Sequence, residues 1–330
     1  MIEALRTQEP GDTTNSTDAA AITNVTDVPD TEVTGTEVTD IEVTGVADAA
    51  GAPMALSPDL SGLDLAAVDA AIRRAAADEI MPRFRQLAVE DILEKTGPHD
   101  LVTTADRRAE EHLAVALTAL LPGSLVVGEE AVHADPGVLD ALHGDAPVWI
   151  VDPVDGTRQF VHGDPGFATL VALAHRGEVL ASWTYAPALG LMAVARRGAG
   201  AELNGVPLRT GSPAPDAILD VATSHYDFTD NDQKRVLAAL DTGGIAPRPC
   251  GSAGLEYLHI ARGDLDATAF SWENPWDHAA GLLLVHEAGG ASGTVTGRPF
   301  RITGGNALPF TAARDAETAR RILGLLAAAN

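Results

Sequence analysis

Apolar residues first recur with a helical period near residue 65. Leu65, Val68, Ala71, Ile72 and Ala75 fall on one face, and Asp64 stands where a capping side chain would. Pro82 marks a kink or an end. A second helix is predicted over 105–121, with Leu113, Ala116, Leu117 and Leu120 on one face and Pro122-Gly123 as its stop. The period then changes. Leu125–Val127 and Val148–Val151 are short unbroken apolar runs, read as buried strands. Further strands are expected at Ala168–Ala174, Val179–Tyr185, Leu191–Arg196 and Ile218–Thr223, with Gly177 and Gly190 in turns between them. Helices are expected near Asn231–Leu240, Ser252–Ala261, Trp276–Ala288 and Arg314–Ala328. Strands and helices interleave without a regular βαβ alternation. The run of strands over 168–196 favours antiparallel pairing. Layered α and β structure follows, rather than a Rossmann fold or a TIM barrel.

Residues 1–58 lack this patterning. They contain no Phe, Tyr or Trp and hold eleven acidic residues against one basic residue, Arg6. A short repeat runs through them: Thr31-Glu-Val-Thr-Gly35, Thr36-Glu-Val-Thr-Asp40 and Ile41-Glu-Val-Thr-Gly45. Such a segment has little to bury against the entropy of ordering, so a disordered acidic tail is expected. The alternative, from its Thr and Val content, is a strand laid against some partner. Three copies this short cannot make a solenoid.

The whole chain carries a formal net charge of −25 and a pI near 4.5. Nucleic-acid phosphates repel such a chain, so no nucleic-acid partner is expected. The charge suits divalent cations, although it also serves plain solubility. Mean hydropathy is +0.05, and no apolar run reaches the roughly 18 residues of a membrane span. The first residues lack the basic segment and apolar stretch of a signal peptide, so a cytoplasmic location without membrane association is expected. The single cysteine, Cys250, excludes an internal disulfide and a Cys-rich zinc site, and is read as a small buried apolar residue. The ten histidines show no His-Glu-x-x-His pattern. His278 is assigned to the core or the surface, with the pocket as the alternative.

Chemistry concentrates in Trp149-Ile-Val-Asp152-Pro-Val-Asp155-Gly-Thr157. An apolar strand is expected to end at Asp152, Pro153 to stiffen the turn, and Gly156-Thr157 to open a short helix through Phe160. Two carboxylates then project beside fresh helical N–H groups, where hard cations and phosphate oxygens can meet. Gly128-Glu129-Glu130 follows another strand. Trp276-Asp277 opens a long apolar helix that closes with Glu287-Ala-Gly-Gly290. Alone, Asp277 reads as an acid complementing a helix dipole, and Glu129 as part of a solvated turn.

Together with Asp100-Leu-Val-Thr-Thr-Ala-Asp106, these segments resemble the ordered signature of the inositol monophosphatase superfamily, over about 60–330. The resemblance implies an α/β layered fold, an αβαβα-type sandwich with two subdomains at 59–212 and 213–330. It implies a Mg²⁺-dependent, lithium-sensitive phosphate monoesterase with two to three ions, acting on a small-molecule substrate and assembling as a homodimer. Carried over residue by residue, Glu129, Asp152 and the Val154 carbonyl would bind the first ion. Asp152, Asp155 and Asp277 would bind the second, and Glu129 would support a third. Asp106 and Thr157 would position and help deprotonate the attacking water. The Gly156 and Thr157 amides would hold phosphate oxygens. Lys95 is either a solvated surface lysine or part of the loop that approaches the site. In-line attack by water is preferred, since Cys250 lacks a phosphatase loop and no aspartyl-phosphate motif is present.

The substrate is less determined. Inositol-specific members place an acid seven positions before the last metal Asp, and here that position is Phe270. Phe270 cannot accept a hydroxyl hydrogen bond, and a flat or partly apolar leaving group could instead stack on Phe270 or Trp272. Glu273 either substitutes for the acid or is exposed. Ser252 and Ala253 resemble the family's helix start beside the substrate, with helix capping by Ser252 as a compatible role. Alternatives to an inositol phosphatase are a histidinol-phosphate phosphatase or a 3′(2′),5′-bisphosphate nucleotidase. A rival from another class is a non-catalytic regulatory protein that retains the fold.

Overall fold

The computed structural model describes Thr44–Gly45 and residues 63–330, except Pro98. The expected disorder of residues 1–58 therefore lies outside the described residues, apart from the two-residue strand β1 (Thr44–Gly45). The helix at 65 forms as its spacing dictates. In α1 (Leu65–Ala75), the Asp64 side chain accepts from the amides of Ala66 at 3.0 Å and Ala67 at 3.1 Å, and Val68, Ile72 and Ala75 are buried. A π turn at Ala76–Ile80 ends it before Pro82. An antiparallel hairpin that the pattern had not shown follows, β2 (Ile92–Gly97) and β3 (Asp100–Thr103). It leads into α2 (Thr104–Leu120).

The next elements are β4 (Leu125–Gly128), α3 (Glu129–Ala134), β5 (Val148–Asp155), α4 (Thr157–Val161), β6 (Ala168–His175), β7 (Glu178–Ala186), β8 (Leu191–Arg196), β9 (Gly200–Leu203) and β10 (Val206–Pro207). Their strands form one sheet in the order β10-β9-β8-β7-β6-β5-β4, antiparallel except for the parallel pair β4–β5. β5 is buried on both faces. Trp149 and Val151 pack toward α1 and α2, while Val148 and Ile150 face the opposite way, as a two-residue period requires.

The chain continues through β11 (Leu219–Thr223), α5 (Asn231–Leu237), β12 (Ile245–Pro249), α6 (Ala253–Arg262), β13 (Ala267–Ala269), α7 (Pro275–Glu287), β14 (Ala291–Thr294), β15 (Phe310–Ala313) and α8 (Ala316–Ala329). The second sheet runs β1-β14-β15-β13-β11-β12. β11 pairs in parallel with β12 and β13, and the other pairs are antiparallel. β12 forms one edge and contains Pro247 and Pro249.

Five layers result. α1 and α2 cover one face of the seven-stranded sheet, and α6 and α7 pack between the two sheets. α8, with α5 against it, covers the outer face of the six-stranded sheet. The αβαβα order expected from the sequence is therefore present. Among the described residues no helix is long and apolar enough to cross a membrane.

Candidate active site

β5 delivers two carboxylates. Asp152 lies opposite Leu170 and Asp155 opposite Ala168, with a register shift between them. The apolar run predicts a strand that ends at Asp152, with Pro153 in a turn. Instead the strand continues to Asp155, and Pro153 sits in the irregularity, its carbonyl accepting from the Thr169 hydroxyl at 2.9 Å. In a regular strand, residues three apart point to opposite faces. The bulge cancels that and lets Asp152 and Asp155 converge. Gly156 then takes φ +87°, a left-handed conformation that costs other residues energy, and a Cβ there would meet the Gly166 carbonyl at 3.1 Å.

Asp155 points at the start of α6. The Ser252 hydroxyl donates to it at 2.5 Å, and the amides of Ala253 and Gly254 at 3.1 and 2.7 Å. Ser252 also caps that helix, its hydroxyl oxygen accepting from the Leu255 amide at 3.3 Å. α7 opens on Pro275 and carries Asp277 in its first turn. The Trp272 indole N–H and the Asn274 amide donate to Asp277 Oδ2 at 2.8 and 3.1 Å. Asp152, Asp155 and Asp277 each present an oxygen, all within 4.8 Å of one another.

Beside this cluster, Asp106 is buried in the first turn of α2. It accepts from the Thr103 amide at 2.9 Å and the Thr103 hydroxyl at 2.5 Å. The Thr157 hydroxyl lies 3.3 Å from Asp106 and 3.0 Å from the Val154 carbonyl, and its single proton can serve only one of them well. Lys95, on β2, reaches Glu129 at 2.7 Å and Glu130 at 2.5 Å. Its side chain is 4% exposed, which excludes the solvated-surface reading. Burial alone would lower the Lys95 pKa. The charges of Glu129 and Glu130 outweigh it and raise it.

The acids repel one another. Burial, then Asp155 and Glu129, push Asp277 up to about 8. Burial, against the Thr103 bond and with Glu129 adding to it, pushes Asp106 up to about 7. Asp155 rises only to about 6, because the Ser252, Gly254 and Ala253 donors oppose its burial. Asp152 is raised well above the carboxylate range by burial and by Glu129, Asp155 and Asp277. A divalent cation would relieve this repulsion, and an all-oxygen donor set fits a hard ion such as Mg²⁺.

Several expected site residues lie elsewhere. Phe270 has no exposed surface. Its ring packs against Tyr257, Trp272, His278 and Phe310, so no leaving group can stack on it. Trp272, the other ring that the sequence offers for stacking, is half-buried and bonded to Asp277. Glu273 is neither freely exposed nor open to a ligand on Oε2, which accepts from the backbone and side-chain amides of Asn306, both at 2.8 Å. His278 is a core residue. It meets the Tyr257 hydroxyl at 2.9 Å and the Trp272 carbonyl at 3.0 Å, and burial pushes it down to about 3. Cys250 is half-buried rather than fully buried. The reading missed Glu110, a buried acid on α2. Its one signal is an acid between Ala109 and Leu113, one turn after Asp106 on the buried face of the helix.

The inositol monophosphatase family model matches residues 60–327. The chain belongs to this family. Among similar proteins, the inositol-1-monophosphatase of Rhizobium meliloti is 38% identical over 202 residues, covering 59% of this chain and 73% of its own. The Nus factor SuhB of Pseudomonas aeruginosa is 34% identical over 237 residues, covering 68% and 83%. The solved structure of a Thermotoga maritima IMPase superposes with a TM-score of 0.64 at 28% identity, over 78% of this chain and 96% of that one. As a family member this chain is a phosphatase, and its acidic cluster could hold metal ions.

Proposed function

We propose that this phosphatase hydrolyses a small-molecule phosphate monoester with Mg²⁺, by in-line attack of water. The observation that carries the reading is the convergence of Asp152, Asp155 and Asp277 beside the Asp106–Thr157 pair. Glu129, Asp152 and the Val154 carbonyl would hold one ion, and Asp152, Asp155 and Asp277 a second, with Glu129 supporting a third. Bound Mg²⁺ supplies charge neutralisation for the phosphate and for the leaving oxygen. The protein does the rest. Thr157 orients the attacking water through its hydroxyl, and Asp106 behind it accepts the proton. The amides of Gly156 and Thr157 hold phosphate oxygens. Lys95 holds Glu129 and Glu130 together through its two ion pairs.

For the leaving group, the half-buried Trp272 supports a flat or partly apolar partner, such as imidazole or a nucleobase. A phosphate-release panel tests both parts. It would cover inositol 1-phosphate, histidinol phosphate, sugar phosphates and 3′-phosphoadenosine 5′-phosphate, each with Mg²⁺ and with EDTA. Turnover should require the metal and be inhibited by Li⁺, and full activity in EDTA would remove the mechanism. An aromatic leaving group should exceed inositol 1-phosphate in kcat/KM by about tenfold, equivalent to ~1.4 kcal/mol. Trp272→Ala should narrow that gap. Inositol 1-phosphate as the best substrate would sink the aromatic preference and leave the phosphatase reading in place.

A further inference from the structure

α2 carries two buried carboxylates one turn apart, Asp106 and Glu110, which places them on one face of the helix. Asp106 belongs to the proposed site. Glu110 spends its two oxygens on backbone. Oε2 accepts from the Glu130 amide and Oε1 from the Ala131 amide, both at 2.8 Å. Those amides belong to the first turn of α3, whose own cap residue, Gly128, has no side chain to offer. A second observation concerns Gly128 itself. A Cβ there would lie 2.2 Å from the Glu110 carboxyl carbon and 2.5 Å from each oxygen. The missing side chain of Gly128 is the space the carboxylate occupies.

Glu129 begins α3, between Gly128 and the two amides that Glu110 holds. The direction in which it leaves β4 is therefore set by a residue nineteen positions earlier in the chain. We propose that Glu110 is a positioning residue that ties Glu129 to the helix carrying Asp106, so that the metal-facing acid and the proton-accepting acid share one rigid support. This role rests on the phosphatase reading above and extends it to a side chain that touches neither metal nor substrate.

The test titrates Mg²⁺ calorimetrically into the full chain without substrate, then measures kcat, KM and melting temperature. Wild type, Glu110→Gln and Gly128→Ala are compared. Gln sets an NH₂ group against one of the two amides, and Ala at 128 displaces the carboxylate from the other side. The Mg²⁺ dissociation constant should rise about tenfold or more in both, as loss of an outer-shell contact does elsewhere. The lost turnover should return in part with excess Mg²⁺, and KM for the phosphate ester should stay within about twofold. A lower melting temperature with an unchanged Mg²⁺ titration would overturn the proposal and leave Glu110 a helix cap only. If Glu110→Gln does not fold, Gly128→Ala carries the same comparison with Glu110 intact. A wild type that binds Mg²⁺ in a Glu110-dependent way without hydrolysing any ester would sink the phosphatase reading alone. A wild type that hydrolyses, with Mg²⁺ binding indifferent to both variants, would sink this inference alone.

Discussion

Asp277 shows how much of this site is decided by single oxygen atoms. Its Oδ2 is held by Trp272 and Asn274, which leaves Oδ1 for a cation. Asp277→Asn can keep the carbonyl oxygen against those donors while losing the charge. It should lower kcat by a factor on the order of 10² or more without unfolding the protein, measured with saturating Mg²⁺. Near-normal turnover would place the site elsewhere. The raised carboxylates also set a pH dependence. A group whose folded pKa exceeds its unfolded value stabilises the protein below the unfolded pKa, and loses that contribution as pH rises through the folded one. Asp155, Asp106 and Asp277 do this at about 6, 7 and 8. Metal-free protein should therefore lose melting temperature steadily from pH 5 to 8.5, on the scale of those shifts. Saturating Mg²⁺ should flatten the slope, and a slope unaffected by Mg²⁺ would show that the cation does not bind these acids. At this scale the sequence was readable wherever the chemistry is local, as in the Asp152–Thr157 run. Glu110 was not, because its partners, the Glu130 and Ala131 amides, lie twenty and twenty-one residues further on, beyond the end of α2 and β4. Phe270 was misplaced for a related reason: counting seven residues back from Asp277 does not say which way the ring turns. The bridge pairing Phe270 with Phe310 turns it into the layer between the sheets.

Among elements, periodic segments and short runs of branched apolar residues such as Leu125–Val127 were legible, and short runs of small residues were not. α1 forms over the span that its apolar spacing marks. β13, β14 and β15 read Ala-Thr-Ala, Ala-Ser-Gly-Thr and Phe-Thr-Ala-Ala, too short and too poor in branched residues to announce strands. They form because burial on both faces favours any small residue there. The same economy of size joins α6 to α7. A Cβ on Gly281 would lie 2.0 Å from the Tyr257 ring, and neither that ring nor the helix axis can retreat. Gly281→Ala should destabilise the fold by about 1–3 kcal/mol in urea unfolding. Gly324→Ala on α8, where a Cβ meets nothing within 4 Å, should stabilise it by about 0.5–1 kcal/mol. Equal effects at the two positions would mean that helix propensity, and not the α6–α7 approach, governs Gly281.

For the whole molecule, the two sheets meet the solvent at their edges in different ways. β12 blocks further pairing with its prolines, and β10 ends on Pro207. β14 has no such residue, and Thr44–Gly45 lie along it instead, pairing with Ser292 and Ala291. The ten residues of α7 that follow Asp277 separate it from this edge by about 15 Å at 1.5 Å per residue. Removing residues 1–56 should therefore leave kcat within about twofold, because no proposed site residue is lost. What it should change is how molecules behave toward one another. An uncovered strand offers its amides and carbonyls to any neighbour with an edge of its own. Truncated enzyme should cloud on concentration and show a larger scattering mass than the full chain at equal activity. An acidic leader that looks dispensable for turnover would then act as the molecule's protection against crowding by its own kind.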